Sequence, residues 1–166
     1  MNKRNLISMI FYLADGRIRG ATRLQKIVFL IERTLGIEVF RFEPWKYGPW
    51  SRELEDFLKE AEENGLIRVS TEEPDLASEF FGESPAKVYE ASQELIENGR
   101  DAFEALRRTD PLRAVYIKRL VTAALSVPLS YLIAYIYTRY PESTLRSTIL
   151  NKVERWRRIY GLRTGG

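Results

Sequence analysis

Carboxylates are the side chains with which this sequence could do acid–base or metal chemistry. It has 23 Asp and Glu but neither a cysteine nor a histidine. Those two absences remove zinc sites built on Cys and His, disulfides, thiol nucleophiles, Ser-His-Asp triads and histidine bases. The closest carboxylate pairs are Glu62-Glu63 and Glu72-Glu73. Each falls on a solvated helix face or a turn, where no apolar flank would raise a pKa for general-acid work. Neither a G-x-x-x-x-G-K-S/T loop nor a G-x-G-x-x-G turn occurs, so no phosphate cradle is expected. The reading is a protein that is not an enzyme and needs neither cofactor nor metal.

Binding chemistry is better represented. Net charge is only +3 but unevenly spread: +5 over residues 1–50, −8 over 51–90, +2 over 91–140 and +4 over 141–166. Such asymmetry speaks to partners rather than to fold. Arg17, Arg19, Arg23 and Lys26 cluster early, Arg41 and Lys46 follow, and Arg155, Arg157, Arg158 and Arg163 crowd the end. If the protein binds double-stranded DNA, the expected phosphate contacts are Arg17, Arg19, Arg23, Arg41, Arg155, Arg157 and Arg158. They would position the protein on the backbone rather than read bases. The alternative is that these arginines pair with the acidic middle or with a second subunit. Five aromatics stand in eleven residues from Phe40 to Trp50, and of these Trp45, Tyr47 and Trp50 are candidates for a partner-binding hot spot. A hydrophobic plug between two helices would use the same three residues.

The elements that must carry these residues can be read from spacing. A helix over 5–15 ends at Asp15-Gly16, and a second, capped by Thr22, runs to Gly36. Ser51 caps a third over 52–64, with Leu54, Phe57, Leu58 and Ala61 on one face. Strands are expected at 66–69 and 87–90, with 70–86 as the turn between them. Three helices followed by strand, long turn and strand is the order of a winged helix. Helices at 92–108 (capped by Ser92), 112–125, 128–139 and 143–160 complete the chain. The nearly uncharged stretch Leu120 to Thr138 is 19 residues long, but Pro128 divides it, so two buried helices are expected rather than a membrane span. The last helix should bury Leu145, Ile149, Val153 and Trp156.

In such a fold the third helix would enter the DNA major groove. Here Arg52 and Lys59 are outnumbered by Glu53, Glu55, Asp56, Glu60, Glu62 and Glu63, a net of −4 that phosphates would repel. The turn adds Glu72, Glu73, Asp75, Glu79 and Glu83 with no basic residue between Arg68 and Lys87. Conventional winged-helix docking is therefore not expected.

Several short motifs agree in order and spacing with a known family. Arg23-Leu24-Gln25-Lys26-Ile27-Val28-Phe29-Leu30 resembles the K-L-Q-K-L helix of the SocA-like (Panacea) antitoxin domain and of YwgA-type regulators. Tyr47-Gly48-Pro49-Trp50-Ser51 is similar to their aromatic-G-P element, and Glu63-Asn64-Gly65-Leu66-Ile67 to their step into the wing. Tyr140-Pro141-Glu142-Ser143-Thr144 resembles a stretch of the archaeal members. The resemblance covers most of 20–145 and implies a helical, winged-helix-like domain without a catalytic centre. It further implies toxin neutralisation, adaptor behaviour or DNA binding in transcription regulation. The helical tail over 112–160 departs from the antitoxin pattern.

The expected architecture is mainly α with a small two-stranded β wing. A winged-helix-like part over 1–108 packs on a C-terminal helical extension over 109–161, and 162–166 is a loose tail. The expected core is Leu24, Ile27, Val28, Leu30, Leu54, Phe57, Leu58, Ile67, Val88, Leu120, Leu132, Ile136 and Ile149. Leu129, Leu132, Ile133, Ile136 and Tyr137 form a stripe wider than one helix needs, so part of the helix pair over 112–140 is expected to form a homodimer seam. No signal peptide is recognised and no membrane association is expected, which points to a cytoplasmic protein whose partner is DNA or another protein.

Overall fold

The computed structural model describes residues 1–73 and 86–163. Most of the expected wing turn and the end of the expected loose tail therefore lie outside the described residues. Helix α1 (Lys3–Leu13) begins where the Asn2 side chain accepts the Asn5 N–H at 2.7 Å. Asp15 and Gly16, at φ 55° and 83°, then reverse the chain. They lead into a strand that the sequence reading missed, β1 (Arg17–Arg19), which has one apolar residue and is too short for a period to show.

Helix α2 (Ala21–Leu35) is entered through Gly20 at φ 100°, not through a Thr22 cap. The strand runs straight into the helix there, and glycine tolerates the positive φ needed for the reversal. Thr22 instead lies inside the first turn, buried, with no partner for its hydroxyl. A short hairpin follows, β2 (Glu43–Trp45) and β3 (Gly48–Trp50), with Trp45 opposite Gly48. Ser51 caps α3 (Arg52–Glu63) as expected, its hydroxyl accepting the Leu54 N–H at 3.1 Å.

Strands β4 (Ile67–Glu72) and β5 (Ala86–Ala91) return antiparallel, and β1 pairs with the far side of β5. The wing sheet thus has three strands in the order β1-β5-β4, not two. Ile18, Tyr89 and Val69 stand in register across it, on the face that also carries the buried Ile67. The order α1-β1-α2-α3-β4-β5 with β5 central is a winged-helix arrangement, and the molecule is mainly helical.

Four helices pack on this part. Ser92 caps α4 (Gln93–Thr109) as expected. Gly99 lies in the middle of α4 because α1 crosses it there: a Cβ at Gly99 would meet the Ser8 carbonyl oxygen at 2.0 Å. Helices α5 (Pro111–Ser126) and α6 (Leu129–Arg139) divide at Pro128. Among the described residues no helix is long and apolar enough to cross a membrane.

The single helix expected over 143–160 is broken. A 3₁₀ turn (Pro141–Thr144) is followed by irregular chain and then by α7 (Leu150–Tyr160). Two backbone amides have been claimed elsewhere: Thr148 donates to the Lys46 carbonyl at 2.9 Å and Ile149 to the Ser147 hydroxyl at 3.1 Å. Leu145 is consequently 79% exposed rather than buried, whereas Ile149, Val153 and Trp156 are buried as expected.

One contiguous core runs from Leu6 to Trp156 and joins the two expected parts. The expected core residues are all in it or packed against it except Val88, which is buried on the sheet; Phe57 and Leu120 are only half-buried. Leu129, Leu132, Ile133, Ile136 and Tyr137 are all buried by the chain itself, so this stripe is taken up within one copy. Its width reflects a helix packed on both α2 and α7.

Candidate functional site

The polar residues of the Arg23-to-Lys26 stretch all hold backbone. Arg23 donates from one guanidinium nitrogen to the carbonyls of Ala124 and Val127, at 2.7 and 2.9 Å, and so closes the C-terminal end of α5. Gln25 grips Ser51 in both directions: its amide donates to the Ser51 carbonyl at 2.9 Å and its oxygen accepts the Ser51 N–H at 2.8 Å. Lys26 is fully buried and donates to the Pro49 carbonyl at 2.8 Å. Buried backbone groups left without partners are costly, so this stretch fixes the hairpin and the start of α3 in place. Gly48 belongs to the same lock. At φ 95°, a Cβ there would lie 3.0 Å from the Tyr137 ring.

Tyr137 donates its hydroxyl to Ser147 at 2.6 Å, and burial pushes its pKa up to about 12. The Glu32 carboxylate holds the chain before the hairpin, accepting the Val39 N–H at 2.6 Å and the Phe40 N–H at 3.1 Å. Burial raises its pKa, against the lowering effect of those two bonds.

What this lock presents is the outer side of the hairpin beside α3. Trp45 is 47% exposed, with the Lys46 ammonium 5.9 Å from its ring centre. Trp50 is half-buried and its indole N–H donates to Glu55 at 3.1 Å. Tyr47 packs against the core instead, so the three aromatics expected to act together are divided. Trp45 and Trp50 flank a cleft of 530 Å³ whose charged lining is Glu43, Arg52, Glu55, Asp56 and Lys59. A second cavity of 430 Å³ lies between α3 and the sheet, over Leu58, Val69 and Tyr89. The two share Trp50, Glu55 and Lys59 and so form one groove along α3. The sequence reading saw these charges as repelling DNA but did not join them to the tryptophans. The Ser51 cap sets Glu55 in the first turns of α3, but the hairpin decides that the Trp50 indole reaches it.

Most of the arginines expected on DNA are engaged within the chain. Arg17 and Arg19 both pair with Glu72, and Arg19 also donates to the Glu73 carbonyl. Arg23 is spent on α5. Arg41 lies 3.7 Å from Glu43, and Arg157 is paired with Glu154 at 2.6 Å. Arg155 and Arg158 are exposed on α7 and, among the described residues, make no ion pair. Among the described residues no three acidic side chains gather to hold a metal. No family model and no curated protein matches the chain.

Proposed function

We propose that this protein is a non-enzymatic binding module that takes a polypeptide partner in the groove between the β2–β3 hairpin and α3. The observation that carries this reading is the site of Trp45 and Trp50 on a 530 Å³ cleft, fixed from beneath by Gln25 and Lys26. Exposed tryptophan on a rigid support is the side chain that most often anchors a protein interface. Helix α3 has a net charge of −4, which favours a partner segment carrying Lys or Arg. The antitoxin or adaptor role implied by the motifs is consistent with such a groove.

The experiment is a selection of random peptides on the immobilised protein, followed by calorimetry of those recovered. Peptides with basic residues around an apolar anchor are expected. Their affinity should fall at least tenfold in Trp45→Ala and in Trp50→Ala, and stay unchanged in Arg155→Glu/Arg158→Glu. Binders indifferent to both tryptophans would overturn the reading. A DNA-binding, regulator-like role is the second reading, and the exposed pair Arg155 and Arg158 supports it. It requires salt-sensitive retardation of duplex DNA that this double substitution abolishes.

A further inference from the structure

The outer face of α5 leaves a group of large apolar side chains uncovered. Leu112, Val115 and Tyr116 are 64%, 44% and 49% exposed in its first half. In the second half the outward residues are small: Thr122, Ala123 and Ser126 are exposed. Beside them a cavity of 240 Å³ opens between α2, α5 and α6, lined by Leu30, Leu120, Ala123, Val127, Tyr131 and Tyr135. Leu112, Tyr116, Leu120 and Ala123 follow one another at four- and three-residue steps on one side of the helix, and Val127 stands just past its end. Protruding side chains and an apolar hole thus share a single stripe.

We propose that this face is the interface of a two-fold homodimer in which α5 packs antiparallel on α5 of a second copy. A two-fold axis makes an interface self-complementary, so a surface with knobs at one end and a hole at the other suits it. Crossing near residue 119, it sets Leu112 and Tyr116 of each copy over the other's cavity. The area suits a weak dimer. Leu112, Val115, Tyr116 and Tyr135 together expose roughly 400 Å² of side chain, taking about 200 Å² for each when free. That is about half of the ~800 Å² each partner gives to a standard interface, and is typical of a functional patch on a single chain. Half-buried Leu120, Val127 and Tyr131 border it and extend the contact.

Arg119 lies beside the stripe at its midpoint, exposed and, among the described residues, without an ion pair. Two copies bring the two guanidinium groups near the axis. Association should therefore strengthen as salt rises, because screening weakens that repulsion while apolar burial persists.

Sedimentation velocity on the whole chain from 5 to 200 µM, at 50 and 500 mM salt, tests this. A dimer is expected at tens of micromolar, tighter at the higher salt. Leu112→Arg/Tyr116→Arg, which removes the knobs, and Ala123→Arg, which blocks the hole, should each be monomeric with an unchanged circular dichroism spectrum. Mixing the two variants should restore part of the dimer, since one of the two contacts re-forms. A wild-type monomer at 200 µM overturns the proposal, whether or not its cavity takes up an apolar dye. So does a dimer that survives in both folded variants, or one that Trp45→Ala dissolves instead. None of these outcomes depends on the hairpin groove binding a peptide.

Discussion

Gln25 illustrates how a polar side chain on an apolar helix can be structural. Its carboxamide matches the N–H and carbonyl of Ser51, both inside the molecule. Gln25→Ala leaves those two groups without partners, at about 1–3 kcal/mol each. Urea unfolding should show a loss of about 2–6 kcal/mol; a change below about 0.5 kcal/mol would mean that water replaces the amide. Tyr137 makes a prediction with a definite sign. Its phenol has an ordinary pKa of 10.0, which burial raises to about 12 in the fold. Between those values the unfolded chain has lost the proton and the folded chain has kept it. The stabilisation is therefore complete below pH 10 and is lost as pH rises toward 12. The stability difference between wild type and Tyr137→Phe should shrink over that window in alkaline unfolding titrations. A difference that stays flat would place the Tyr137 hydroxyl in water.

At the scale of elements, Gly99 separates packing from propensity. Alanine is the better helix former by about 1 kcal/mol, yet a Cβ there would lie 2.0 Å from the Ser8 carbonyl oxygen. Gly99→Ala should therefore destabilise by about 1–3 kcal/mol, the usual cost of overfilling a packed contact. A gain in the urea midpoint would show that α1 and α4 part easily. The same competition between local and distant contacts decides what the sequence discloses. Helices with strong caps and one apolar face, such as α3 and α4, were legible almost to the residue because Ser51 and Ser92 act within their own first turn. Elements made by distant partners were not. Strand β1 exists because β5 pairs with it, and the break before α7 because Lys46, about a hundred residues away, takes the Thr148 amide. The exposure of Leu145 follows from that break, so its helical spacing from Ile149 misled. The two tryptophans were legible as a candidate site, while their union with Glu55 and Asp56 needed the fold.

Across the whole molecule, the charge asymmetry of the sequence is partly paired off at the surface. The basic start of the chain meets acidic residues that follow it: Lys3 pairs with Glu53 at 3.4 Å, Arg4 with Glu94 at 3.2 Å, and Arg17 and Arg19 with Glu72. Exposed pairs of this kind contribute little stability, but they engage the basic residues at the start of the chain that DNA binding would draw on. The proposed working surface is the hairpin groove, and on that proposal the basic ends form no DNA footprint. Fluorescence anisotropy of a labelled random 20-base-pair duplex, titrated with the protein at 50 and 200 mM salt, tests it most directly. The expected result is binding no tighter than the weak end of the non-specific range, about 10⁻⁴ M, at the higher salt. Micromolar or tighter binding that falls steeply with salt, and that Arg155→Glu/Arg158→Glu abolishes, would contradict the claim.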